Sequence, residues 1–223
     1  MQLTELQRDA VTELINIAFS RAAASLSQLT NSRVDLEVPE VSVHQIAAIS
    51  QAVGKFVSGE VATVHQVFAG PVAGDAFLLL NFDGAVHLVD LLTGTETPQK
   101  TLGASAREVV TEVGNILMNA CLGVFGNLLH VRFSFSVPRL SLDDLASMMQ
   151  SLIIDDDELH HALVVGARFR MRGNEVTGCL ILVLGIASFQ LFVEAVENWA
   201  ERSLNGQDTL QAESTSDKTR GGD

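Results

Sequence analysis

The sequence repeats itself at an offset of 99 residues. Glu13-Leu-Ile-Asn16 returns as Glu112-Val-Gly-Asn115, and each Asn is followed, after 22 intervening residues, by a proline, Pro39 or Pro138, in a chain with only four prolines. At the same offset Val34-Asp-Leu-Glu-Val38 faces Phe133-Ser-Phe-Ser-Val137, and Val41-Ser-Val-His-Gln-Ile-Ala47 faces Leu140-Ser-Leu-Asp-Asp-Leu-Ala146. A duplication of this kind fixes the order of elements in one half by the order in the other. Two halves, about 1–100 and 101–202, joined only by the polar connector Thr93–Lys100, favour one α/β domain with a pseudo-two-fold axis over two independent modules.

Each half opens on a helical pattern, Thr4 to about Leu29 and Ala104 to about Phe125, free of proline and rich in Ala, Leu and Glu. Thr4 and Ser105 are the expected N-caps, and Gly126-Asn127 the expected stop of the second helix. Leu6, Ala10, Leu14, Ile17 and Ala24 form an apolar stripe on the first helix; Val109, Val113, Ile116, Ala120 and Val124 form one on the second. Opposite them lie polar stripes, Asp9, Glu13, Asn16, Ser20 and Ser27, and Glu108, Glu112, Asn115 and Asn119. Strict alternation then predicts strands with one buried face at Val34–Val38 and Val131–Val137. A short helix or loop follows, and then a hairpin: Val61–Phe68 turning through Gly70-Pro71-Val72-Ala73-Gly74 into Phe77–Asn81, and Leu163–Met171 turning through Gly173-Asn174 into Cys179–Leu184. Closing helices are expected at Gly84–Leu92 and Ala187–Arg202. The expected architecture is thus α/β, a mainly antiparallel sheet packed against two long helices, with Ser203–Asp223 a disordered polar tail.

Composition removes several classes of function. A formal charge of −13, with no cluster of Lys or Arg, disfavours nucleic acid as a partner. The start Met-Gln-Leu-Thr-Glu has no basic leader region, and the longest apolar stretch, Cys179–Phe189, is too short for a bilayer, so no membrane insertion and a cytoplasmic location are expected. Cys121 and Cys179 form no C-x-x-C pair and read as buried, reduced thiols. Asp155-Asp-Asp-Glu158 lacks the glycine and spacing of a calcium loop, and His44, His65, His87 and His130 occur singly, so no metal or cofactor site is expected. Gly70–Gly74 lacks the Lys and Ser or Thr that follow a phosphate-cradling loop.

The repeated Glu-x-x-Asn pair is where chemistry concentrates. A spacing of three puts both side chains on one helix face. A carboxamide donates and accepts at once, so it can hold a water in a fixed orientation without titrating near neutral pH. The Glu one turn earlier can pair with a cation on a docking partner. With no His, Cys or Ser base beside either pair, the reactive electrophile has to come from the partner.

These motifs resemble the signature of the CheC phosphatases of bacterial and archaeal chemotaxis, related to CheX and to the phosphatase part of FliY. That signature is Asp or Ser, three residues, Glu, two residues, Asn, 22 residues, Pro; it falls on Asp9, Glu13, Asn16 and Pro39 and recurs at Glu112, Asn115 and Pro138. The resemblance covers about residues 1–202 and implies hydrolysis of the aspartyl phosphate of a CheY-type response regulator. It implies that Asn16 and Asn115 orient the water, that Glu13 and Glu112 contact the regulator's lysine, and that Asp9 and Glu108 assist docking. It also implies that the magnesium sits on the regulator, that the receptor deamidase CheD can be a partner, and that the duplicated chain is a monomer. Two positions depart from the family pattern: Glu108 stands where Asp or Ser is usual, and Ala18 and Ser20 stand where relatives often carry Gly. The alternative is a binding or scaffold protein of the same fold, as in the flagellar switch protein FliM, which lacks the Glu-x-x-Asn pair.

Overall fold

The computed structural model describes residues 3–38, 40–94, 101–154, 160–171 and 174–204. Pro39, residues 95–100 of the connector, the acidic run Asp155–Glu158 with Leu159, Gly173 and the tail from 205 onward lie outside the described residues.

The two long helices stand in the register of the duplication, residue for residue. α1 (Glu5–Thr30) and α4 (Ala104–Leu129) each span 26 residues. Thr4 caps α1 in a reciprocal box: its hydroxyl accepts from Gln7 N at 3.2 Å, and Gln7 Oε1 accepts from Thr4 N at 2.9 Å. The equivalent cap of α4 is Gly103, not Ser105; its backbone is extended and no side chain caps the helix. Both helices end on a left-handed residue, Asn31 (φ 48) and His130 (φ 55), the only non-glycine residues with positive φ among those described. Gly126 therefore does not stop α4. It stays inside the helix, where a Cβ would lie 3.0 Å from Val131 O and 3.4 Å from the Phe133 ring, so its role is close packing.

The buried faces of both helices are broader than the expected stripes. Ala10 and Leu14 are buried on α1, but Leu6 and Ala24 are exposed, and Val11, Ile15, Ala18, Phe19, Ala22 and Leu26 supply the rest of the contact. On α4, Val113 and Val124 are buried while Val109, Ile116 and Ala120 lie at the margin. The stripe shifts because each helix touches the sheet on one side and its neighbours on the others, α1 with α4 and α6 (Ile186–Leu204), and α4 with α1, α6 and α3 (Phe82–Thr93). α4 is the one described helix long and apolar enough to cross a membrane, but 56% of its most apolar window is buried inside the fold, as for a core helix.

The strands β1 (Val34–Glu37), β2 (Val41–Gln45), β3 (Glu60–Ala69), β4 (Gly74–Asn81), β5 (Ser134–Phe135), β6 (Arg139–Asp144), β7 (His160–Met171) and β8 (Asn174–Gly185) form one antiparallel sheet. Its order is β1-β7-β8-β4-β3-β5, with β2 also on β7 and β6 also on β3. The halves meet at β4 and β8, and each half sends its first two strands to the outer edge of the other half's hairpin. Glu37 of β1 carries this exchange into side chains, pairing with Arg168 and Arg170 of β7.

Two sequence expectations fail in this sheet. Val41–Ala47 and Leu140–Ala146 open as strands, not as short helix or loop, in keeping with the alternation in Val41-Ser-Val-His and Leu140-Ser-Leu-Asp. The strand expected at Val131–Val137 shrinks to two exposed residues, and Val137 is 81% exposed. This stretch is an edge that Ser136 ties to β3: its N–H donates to Val67 O at 2.9 Å, its Oγ accepts from Val67 N at 2.9 Å, and its carbonyl accepts from Gln66 Nε2 at 3.0 Å. The central strands are buried on both faces. Leu78 and Leu80 enter the core under the long helices, whereas Leu79 enters a second core with Cys179 and Ile181. A 3-10 turn (Ile46–Ala48), α2 (Ile49–Val53) and α5 (Leu145–Ile154) cover that second core through Ile49, Val53 and Met148.

Candidate functional site

Burial of the two residues between each Glu and Asn sets the direction of the pair. Leu14 and Ile15 on α1, and Val113 and Gly114 on α4, are buried. Helical geometry then turns the flanking Glu and Asn away from the core. Asp9, Glu13 and Asn16 are exposed on α1; Glu108 and Glu112 are exposed on α4, with Asn115 half-buried. None of the four carboxylates is ion-paired with a described residue, so all are available to a partner's cation. Pro138 lies between β5 and β6, while Pro39 is outside the described residues.

One shared feature escaped the reading of the sequence. Thr12 Oγ1 donates to Arg8 O at 2.8 Å, and Thr111 Oγ1 donates to Arg107 O at 2.7 Å, one turn before the respective Asn. Arg8 and Arg107, like Thr12 and Thr111, obey the same 99-residue register, the signal that could have found them.

The two pairs differ one turn after the Asn. On α1, the Ser20 hydroxyl donates to the main-chain oxygen of Asn16 at 2.8 Å, and the Asn16 amide has no side-chain hydrogen bond among the described residues. On α4, Asn115 Nδ2 donates to Glu112 Oε2 at 3.4 Å, and Asn119 Nδ2 donates to Asn115 Oδ1 at 2.8 Å.

Other reactive groups lie elsewhere. Cys121 and Cys179 are free and buried, and burial pushes both thiols up, Cys179 to about 12. His65 stacks on Phe77 and meets Asp75 Oδ1 at 2.6 Å. Burial and, less strongly, Lys55 hold His44 below its ordinary value. Among the described residues, no group of three or more His, Cys, Asp or Glu could hold a metal ion.

An antiparallel sheet exchanged between two repeated halves and backed by two long helices is an α/β fold of the CheC-like class. The CheC-like family model matches residues 6–43, which contain Asp9, Glu13, Asn16 and Pro39. The chain is 27% identical over 216 residues to the flagellar motor switch phosphatase FliY of Bacillus subtilis, covering 96% of this chain and 54% of that protein. It is 25% identical over 169 residues to the CheY-P phosphatase CheC of the same organism, covering 73% of this chain and 79% of that one. This chain therefore spans about half the length of the FliY relative and more of the CheC relative. In structure it resembles Thermotoga maritima FliY, with a TM-score of 0.72 at 20% identity over 89% of this chain and 99% of that one. The middle domain of FliM from H. pylori shares the fold, with a TM-score of 0.59 at 12% identity over 86% of this chain and 99% of that one. The resemblance to the CheC-like family drawn from the motifs is thus borne out, and so is the expected fold class.

Proposed function

We propose that this chain hydrolyses the aspartyl phosphate of a CheY-type response regulator, with Glu13 and Asn16 forming one site and Glu112 and Asn115 the other. The observation that carries this reading is the duplicate placement of an amide and a carboxylate, the latter without an ion pair among the described residues, on outward faces of two core helices. Each Glu docks against a lysine of the regulator and sets the register of its Asn, with Asp9 and Glu108 extending the docking face. The Asn amide accepts from the attacking water and holds it in line with the phosphorus. The new bond forms between water oxygen and phosphorus as the bond to the aspartate oxygen breaks, releasing phosphate and a free carboxylate. A carboxylate departs without a proton, so the work left to this chain is positioning. Magnesium would be held by the regulator, where it would neutralise charge on the phosphoryl group, and this chain would supply no ligand to it.

The relatives named as CheY-P and flagellar switch phosphatases support this reading. Within it the chain acts as a cytoplasmic monomer of one domain, and a CheD-type receptor deamidase is a further partner. The fold shared with the FliM middle domain favours one other reading, a binding or scaffold role without hydrolysis. Catalytic amounts of the chain, added to a phosphorylated CheY-type regulator with magnesium, separate the two. A phosphatase speeds release of phosphate at many turnovers per chain, whereas a scaffold binds the regulator stoichiometrically and leaves the rate unchanged.

A further inference from the structure

The two sites share a motif but not the fourth residue after the Asn, and that residue changes what the amide can do. The Glu112 carboxylate only accepts, so the end of Asn115 facing it is the amino end, at 3.4 Å. The carbonyl end of Asn115 then faces along α4, where only a donor fits. Asn119 supplies it from Nδ2 at 2.8 Å. The direction of the whole chain, from Asn119 through Asn115 to Glu112, is fixed by the charge at its end.

Asn119 holds this orientation at a cost. Its Oδ1 is buried without a hydrogen-bond partner among the described residues. Buried polar atoms of that kind are rare and call for a reason. Turning the Asn119 amide over would aim its oxygen at the Asn115 oxygen, two acceptors with no proton between them, so the orphan oxygen is what remains once the donor is committed. Asn115 keeps one N–H and one lone pair, enough to hold a water. At the first site the same position is Ser20, whose hydroxyl is spent on the Asn16 main chain, and the Asn16 amide is left to rotate.

We propose that Asn119 is a positioning residue, absent from the first site, that pre-orients the Asn115 amide and makes the second site the faster of the two. This rests on the phosphatase reading above. An amide ordered before the regulator docks loses less freedom on reaching the transition state, so the gain falls on kcat and not on KM.

The test uses side-chain amide 15N relaxation on the free full chain, together with regulator dephosphorylation. In the wild type, the Asn115 amide is expected to be ordered above about 0.6 and the Asn16 amide below it. Asn119→Ser is expected to bring Asn115 down to the Asn16 value. In an Asn16→Ala background, it is expected to lower kcat about tenfold with KM little changed. Because a half-buried residue can affect folding, the reciprocal Ser20→Asn in an Asn115→Ala background provides a gain-of-function arm, expected to order the Asn16 amide and raise kcat. Equal amide order at both sites, or an Asn119→Ser variant that shifts KM alone, overturns the proposal. A wild type with no phosphatase activity overturns the reading beneath it, and that result is separate because the relaxation measurement needs no regulator.

Discussion

Gly114 faces Val64 across the contact between α4 and β3 so closely that a Cβ on the glycine would lie 2.7 Å from Val64 Cγ1 and 2.8 Å from its Cβ. Val64 is fully buried and stiff at χ1, so it cannot turn away. The same position on α1 holds Ile15, also fully buried, so the helices meet the sheet differently although they carry the same motif. Gly114→Ala is expected to destabilise the protein. Overpacking costs about 1–3 kcal/mol and the better helix propensity of Ala returns about 1 kcal/mol. Urea unfolding should show a lower midpoint at unchanged slope. Because Gly114 adjoins Asn115, activity of the second site should fall further than that of the first.

The exchange of strands between halves makes each half dependent on the other. β1 and β2 pair only with β7 among the described strands, and β5 and β6 only with β3. Residues 1–100 expressed alone are therefore expected to lack cooperative unfolding and dispersed amide resonances. Mixing them with residues 101–223 should restore both. A half that folds cooperatively alone would contradict this dependence.

The capping box at Thr4 offers a contrast with the uncapped Gly103. Thr4→Ala should cost about 1 kcal/mol. Hydrogen exchange should quicken at Glu5–Arg8, while dephosphorylation stays close to wild type because Asn16 lies about three turns further in.

The buried thiols give a pH dependence with a definite sign. Below the ordinary thiol value of 9.0 both cysteines are protonated whether the chain is folded or not, and their contribution to stability is fully present. Between 9.0 and about 12 the unfolded chain releases the Cys179 proton and the folded chain retains it, so stability is lost as the pH rises. The limiting slope is about 1.4 kcal/mol per pH unit for each thiol. Urea unfolding at pH 8 and pH 10 should show the loss, and Cys179→Ala should reduce it. At pH 8 neither thiol should react with a disulfide reagent until the protein unfolds.

Much of this fold was legible because the duplication fixes one half by the other. The 99-residue register carries Thr4 onto Gly103, the cap position in the structure, whereas local cues favour Ser105 for the cap and Gly126-Asn127 for the stop. Gly126 misleads because a glycine serves close packing as readily as a helix end, and only the Phe133 ring beside it tells them apart. Alternation predicts a longer strand at Val131–Val137 than the two residues that pair with β3, because it reports side-chain chemistry and not how far the backbone pairs. The outward faces of Glu13, Asn16, Glu112 and Asn115 follow from spacing. The Asn119 contact does not, because whether a polar residue one turn away points along the helix or into solvent depends on the packing around it.

The most direct measurement is the decay of phosphate on a CheY-type regulator with magnesium, in the presence of wild type or of the Asn16→Ala, Asn115→Ala double variant, with binding to the phosphorylated regulator measured in parallel. Asn16 is exposed and Asn115 half-buried, so the double variant should fold, and with both glutamates in place it should still bind. Wild type is expected to speed decay and the double variant to leave it at the regulator's own rate. A double variant that binds and still speeds decay as wild type does would contradict the role given to the two amides.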